Sequence, residues 1–410
     1  MAATGREFFT AKTVAEALAD FRPAHRTAAE TVALDDALAS IPAVDILAGE
    51  ALPGFDRSAV DGYAVRARDT FGASEAIPAY LTLAGTVTMG APPGLELPAA
   101  AAIAVPTGGA LPDRADAVVM IEYTQEAMPG TIEVVRPVAP GEGIVRRDED
   151  IAPGAVAVPA GVPIRAQDIA MLAALGITGI TVHGRPQVAI LATGDELVAP
   201  DAPTVAPGQV RDALSVSVGA LVREAGGRPQ PPRIVRDDRG ALLDALRESL
   251  ARSDVVVICA GSSVGGRDET AAAVASLSAA EIWCHGLAIK PGKPTLLADS
   301  GGIPIIGLPG NPRSALVVFR LLGMPLVRRA GGWTADHRDA STPGRLARDL
   351  PSAAGRLDVV QVRVHGEEVE PIFGPSALLS VLTSADGYVI VPEDANGLSA
   401  GEPVEVFRYR

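Results

Sequence analysis

The chain has 410 residues, and its 35 Lys and Arg against 49 Asp and Glu give a formal charge of −14. Domains of roughly 100–200 residues are usual, so this length predicts two to four of them. Hydrophobic residues make up 48% and charged residues 20%, which excludes global disorder. Net acidity argues against a protein whose main task is gripping nucleic acid or an anionic membrane, because both need basic surface, yet it leaves room for a local basic pocket.

Cysteine is confined to Cys259 and Cys284, too few for a disulfide framework or a four-cysteine zinc site, which points to a reducing compartment. The first ten residues put polar and acidic side chains where a signal peptide needs an apolar stretch. No apolar run approaches the ~20 residues of a membrane span. These features predict a soluble, cytoplasmic protein.

In chain order, residues 10–50 carry helical signals: Thr13 and Glu16 have capping-box spacing, and Val14, Ala17 and Leu18 share a face. From 51 to 144 the texture turns to Gly, Pro and short β-branched runs such as 80–83 and 117–121, which predicts a compact β-rich unit. Helical periodicity returns over 167–175 and stops at Gly176. The β unit therefore reads as an insertion (51–144) in a helical, elongated N-terminal domain (1–50 and 145–183). Between 184 and 335 apolar runs at 188–191, 254–259 and 303–306 alternate with helical stretches. That alternation predicts a doubly wound α/β domain whose parallel sheet is covered on both faces. The β-type runs 359–364 and 389–391 place a small β domain at 336–410.

Ligands of such sheets bind beyond the carboxyl ends of the strands, so the turns there carry the chemistry. Thr193-Gly-Asp-Glu196 offers two carboxylates, one able to cap the next element and one to face the crevice, although taken alone a cap or turn explains it better than a catalytic role. Ala260–Asp268 is glycine-rich and hydroxylated, able to turn N–H groups toward a phosphate, although it lacks the Gly-Lys-Ser/Thr of a Walker loop, and a tight strand-to-helix connection explains it equally well. Lys290-Pro-Gly-Lys293-Pro294 fixes two lysines on a stiff frame and predicts an oxyanion site. Gly307-Leu-Pro309-Gly-Asn311-Pro312-Arg-Ser314 starts a helix with Pro312 in its first turn. Glu196, Asp237 and Asp268 follow three different strands, and with Lys290 and Lys293 they suggest a Mg²⁺-assisted phosphoryl or pyrophosphate site. In the front half, Asp56–Ala64, Thr107-Gly108 and Arg146–Ile151 read equally as turns and surface charge. The five histidines show no metal-ligand spacing.

Taken in order, Asp56–Ala64, Thr107-Gly108, Arg146–Ile151, Thr193–Leu197, Gly261–Asp268, Lys290–Pro294 and Gly307–Ser314 resemble the molybdopterin molybdenumtransferase family, the MoeA type, similar also to the E domain of gephyrin. The resemblance runs over essentially the whole chain, with closing segments at 374–380 and 401–406. It implies insertion of molybdate into the dithiolene of adenylylated molybdopterin with a divalent cation, Mg²⁺, and release of AMP. It further implies that Lys290, Lys293, Ser314, Arg356 and Ser376 surround the oxyanion, with Pro294, Pro309, Asn311 and Pro312 beside them. Gly261, Ser263 and Gly265 would line the pterin-phosphate crevice, and Glu196, Asp237 and Asp268 would place Mg²⁺ and the pyrophosphate. Asp61, Thr107 and Asp150 match positions that face a partner subunit's crevice, so a homodimer is implied. The supplier of adenylylated pterin and the recipient molybdoenzymes are the implied protein partners, with neither nucleic acid nor membrane among them. The chain departs from the family pattern at Ser262, at Ala213-Leu214, and at Arg57 and Val60. The alternatives are a diverged paralogue that binds or carries molybdopterin without turnover, a tungstate-selective version, or another nucleotide-pyrophosphate enzyme on the same scaffold.

Overall fold

The computed structural model describes residues 11–91, 94–260, 266–334 and 340–409, with the side chains of 266–268 outside that description. Its centre is a seven-stranded sheet. Gln187–Thr193, Val255–Ala260 and Ile303–Leu308 run side by side and parallel, with Arg228–Pro229 and Arg233–Val235 parallel along the outer edge. Strand residues alternate between two cores. Val188, Ile190, Val255 and Val257 face the helices Ala213–Glu224 and Pro312–Val318, whereas Ala189, Leu191, Val256 and Ile258 face Arg239–Leu250 and Gly266–Ala275. A sheet buried on both faces needs the continuous apolar runs that these strands carry. The other edge is antiparallel: Leu296–Ser300 pairs antiparallel with both Ile303–Leu308 and Ala280–His285. The predicted sheet is thus mixed, because a tight turn at Gly301 and Gly302, both at positive φ, lets the chain fold straight back.

The opening segment differs from its helical expectation. Thr13 and Glu16 do form a capping box, and the helix Val14–Asp20 buries Val14 and Ala17, but they join the core of the central domain. Residues 29–47 then carry three short strands instead of a helix: Ala29–Ala33 and Ile41–Pro42 flank Gly179–His183, and Ile46–Leu47 pairs with Val156–Val158. Short β-branched stretches won over local helical spacing because their partners arrive from more than a hundred residues away. The second expected helix is present as Ala166–Ala174. Between these paired segments, a six-stranded sheet occupies 62–134 around Val65, Leu81, Val119 and Ile132.

At the C-terminal end Ser341–Leu346, Leu357–His365, Glu368–Pro371, Gly387–Val391 and Pro403–Arg408 close on one another around Val362, Val369, Val389 and Val406. One further strand, Ile289–Lys290, attaches to this barrel from the central domain. That attachment positions the site.

Candidate active site

Ile289–Lys290 lies parallel to the start of Leu357–His365, with Ile289 beside Leu357 and Lys290 beside Asp358. The loop that follows is held by its own backbone: Leu287 N and Thr295 N each donate to Lys293 O at 2.9 Å, and the buried Thr295 Oγ1 donates to Gly292 O at 2.7 Å. Gly292 has φ +127°, and a Cβ there would sit 2.4 Å from Val318 Cγ2, so only glycine fits. Lys12 braces the same loop from outside, its carbonyl accepting from Ala288 N at 2.8 Å. Lys290 and Lys293 therefore rise from a fixed main chain.

Asp358 is buried, its side chain 3% exposed, and it meets two cations: Arg356 Nε at 2.9 Å and Lys290 Nζ at 3.5 Å. Both cations remain partly open, 39% and 54% exposed, so each keeps donors for a ligand. Across the cleft, Arg313 pins the segment 374–376, donating from Nη1 to Gly374 O at 2.8 Å and from its backbone N to Ser376 O at 3.2 Å. The result is a cavity of about 580 Å³ lined by Lys290, Lys293, Pro294, Pro309, Asn311, Ser314, Arg356 and Ser376, with Arg313 among them. Segments far apart in sequence thus present four cations to one space.

The cavity continues along the strand ends. A hollow of about 90 Å³ shares Pro294, Pro309 and Asn311 with it, and through Ala260 and Gly310 meets a third concavity of about 260 Å³ that holds Glu196 and Pro312. Asp237 lies on the next turn, where its backbone N donates to Asp195 Oδ1 at 3.3 Å, so the turns of Glu196 and Asp237 are joined. Asp238 caps the helix Arg239–Leu250 instead, accepting from Ala241 N at 2.9 Å. Gly261, Ser263 and Gly265 lie outside the described residues; Asp268 falls in the first turn of Gly266–Ala275 with its side chain undescribed. Among the described residues no group of three or more His, Cys, Asp or Glu is arranged to hold a metal ion. The donor type of Glu196 and Asp237, exposed carboxylates, is that of a hard dication.

In the front half two predicted positions meet: Asp61 Oδ1 accepts from Thr107 N at 2.8 Å. Asp56 reaches the third motif, accepting from Arg147 N at 2.7 Å, while Asp150 N donates to Leu52 O at 3.0 Å. None of the residues lining the three concavities above comes from 51–150.

Three family models match in sequence: the MoeA N-terminal region (domain I and II) over 12–176, the model described as "Probable molybdopterin binding domain" over 189–329, and the MoeA C-terminal region (domain IV) over 343–409. The molybdopterin molybdenumtransferase of Bacillus subtilis is 31% identical over 391 residues, 93% of this chain and 90% of that protein. The chain belongs to the MoeA family. It is therefore an enzyme of the transferase class in molybdenum cofactor biosynthesis. Molybdopterin molybdenumtransferase 2 of Mycobacterium tuberculosis is 32% identical over 388 residues, 92% of this chain and 94% of that protein. A crystal structure of the molybdopterin biosynthesis MoeA protein of Pyrococcus horikoshii, 31% identical, superposes with a TM-score of 0.83 over 97% of this chain and 100% of that one.

In this MoeA chain three polar residues escaped the sequence reading. Arg313 and Asp358 act through long-range partners: Arg313 lies within the Gly307–Ser314 helix start but was given no role of its own, and Asp358 sits in no motif. Asp212 is buried at the start of Ala213–Glu224, its Oδ1 accepting from Ser215 N at 3.0 Å, a capping role that Asp followed three residues later by Ser could have signalled. Asp212 also lines the third concavity beside Cys259, whose thiol is pushed up to about 12, first by burial and then by the Asp212 charge. A thiol so protonated is no nucleophile.

Proposed function

We propose that this cleft binds molybdate at its cationic end and adenylylated molybdopterin along the strand ends, and that it joins the metal to the dithiolene with release of AMP. The observation that carries the reading is the convergence of Lys290, Lys293, Ser314, Arg356 and Ser376 on one cavity. A tetrahedral dianion asks for charge-assisted donors on several sides, and ammonium, guanidinium and hydroxyl groups supply them. In this reading Lys290 and Arg356, held by Asp358, fix the oxyanion; Lys293 neutralises it; Ser314 and Ser376 orient its oxygens. Pro294, Pro309 and Asn311 form a wall with few competing donors, and Pro312 carries it on into the concavity of Glu196.

Glu196 and Asp237, with Asp268, form the acidic end. Bound there, Mg²⁺ would neutralise the pyrophosphate. The carboxylates hold the nucleotide end of the substrate at a set distance from the lysines, so positioning is the chain's main contribution. Gly261, Ser263 and Gly265 belong to the pterin-phosphate crevice. Asp61, Thr107 and Asp150 complete the cleft of a second copy of the chain in a homodimer. The division of the chain at about 50, 144, 183 and 335 fits this assignment, the 184–335 segment being the platform.

The test is AMP release from adenylylated molybdopterin with Mg²⁺, with and without molybdate. Release that depends on molybdate is expected, and Lys293→Ala should lower it on the order of a hundredfold. Tight pterin binding with no release under any condition would sink the reading.

A further inference from the structure

Four cations line the large cavity, and they are not compensated alike. Asp358 serves both Lys290 and Arg356. Lys293 is exposed and solvated. Arg313 differs from all three: it is half-buried, no carboxylate lies within ion-pair distance among the described residues, its Nη1 has only the neutral Gly374 carbonyl, and its Nε is buried without a partner. Burial pushes its pKa down, the direction expected for a cation that lacks a counter-charge. A partly desolvated guanidinium is costly unless an anion answers it, and this residue lines the cavity. The other three cations and Asp358 leave an excess of two positive charges, and Arg313 raises it to three.

We propose that Arg313 is a further oxyanion-binding residue of this cleft, whose counter-charge is the bound dianion. The inference rests on the reading given under Proposed function and adds a specificity-determining side chain to it. Arg313 also pins Ser376 through the backbone and Gly374 through Nη1, so one residue couples the shape of the oxyanion pocket to its charge. A dianionic tetrahedral oxyanion is favoured over a monoanion of similar size because two uncompensated cations, Lys293 and Arg313, face it.

The test is direct binding of molybdate to the full-length protein by calorimetry over a salt series, with AMP release measured in parallel. Arg313→Gln should weaken molybdate binding about tenfold and flatten its salt dependence, with the KM for adenylylated molybdopterin unchanged. Arg313→Lys, which keeps the charge but not the fork, should retain most of the affinity and the salt dependence. Should Arg313→Gln fail to fold, as read by its thermal melt, Arg313→Met takes the neutral arm. Unchanged affinity in the neutral variant overturns the inference. Equal weakening in the Lys and neutral variants with an unchanged salt slope also overturns it, leaving a structural pin alone. Failure of the wild-type protein both to bind molybdate and to release AMP defeats the underlying reading instead, a pattern distinct from either.

Discussion

The two halves of the chain hold their polar residues in opposite ways. In the back half, Lys290, Arg356 and Ser376 are fixed by buried or backbone partners: Asp358, the Thr295–Gly292 hydrogen bond and the Arg313 pin. In the front half, Asp61 and Asp150 stand exposed on turns, and only backbone N–H and C=O contacts tie them. A walled cavity organises its own cations, whereas carboxylates on open turns need a second surface to become a site. The contrast fits a cleft built by one copy and completed by another.

The largest effect tests that division. Asp61→Ala and Lys293→Ala should each keep about a hundredth of the activity alone, yet mixed and refolded together they should regain roughly a quarter of wild-type AMP release, the share from statistical pairing in a homodimer. Additive inactivity would place both residues in one copy's cleft and break the comparison. Gly292→Ala comes next. Its φ of +127° and the 2.4 Å approach to Val318 would cost about 2–3 kcal/mol and tilt the lysine loop, so both the thermal midpoint and molybdate-dependent release should fall. The matching change at Gly72, also at positive φ but with no atom near its Cβ, should cost about 1 kcal/mol and spare activity.

Much of the back half was legible because its motifs are local. An apolar run followed by Lys290-Pro-Gly-Lys293 or Pro309-Gly-Asn311-Pro312 places polar residues at a strand end from short-range rules alone. Arg356 and Ser376 came only through the family resemblance, since nothing around them marks a site. Asp358, and the role of Arg313 inside its quoted motif, were invisible for a physical reason: each matters through a partner brought from far along the chain, and pairing of Ile289 with Leu357 cannot be read from either stretch alone. The helical reading of 10–50 held for Val14–Asp20 and its capping box but failed beyond it, the strands of 29–47 being decided by partners at 156–183.

Asp358→Asn sharpens the comparison at smaller scale. It keeps the shape of the side chain and removes the charge shared by Lys290 and Arg356. Both partners are partly exposed, so the loss of stability should be about 1 kcal/mol, seen as a lower denaturant midpoint at unchanged slope. Molybdate affinity should fall while the KM for the pterin substrate holds, because only the oxyanion end loosens. An equal change in both parameters would mean that Asp358 supports the fold and nothing more.

The effect with least bearing on turnover lies at the acidic end, where Cys259 sits against Asp212. Burial and that carboxylate raise the folded thiol to about 12, above its ordinary value near 9. Below pH 9 the thiol is protonated in both folded and unfolded chains, so it adds no pH dependence. Between about 9 and 12 the unfolded chain loses this proton and the folded one keeps it, so stability should decline as pH rises through that window. Cys259→Ala should flatten this part of the alkaline unfolding curve, while the part due to Cys284, raised to about 11 chiefly by burial, persists. Rapid labelling of Cys259 by a thiol reagent at pH 8 in the native protein would contradict the assignment, because it would show a thiolate in reach of solvent where the fold holds a buried thiol beside a carboxylate.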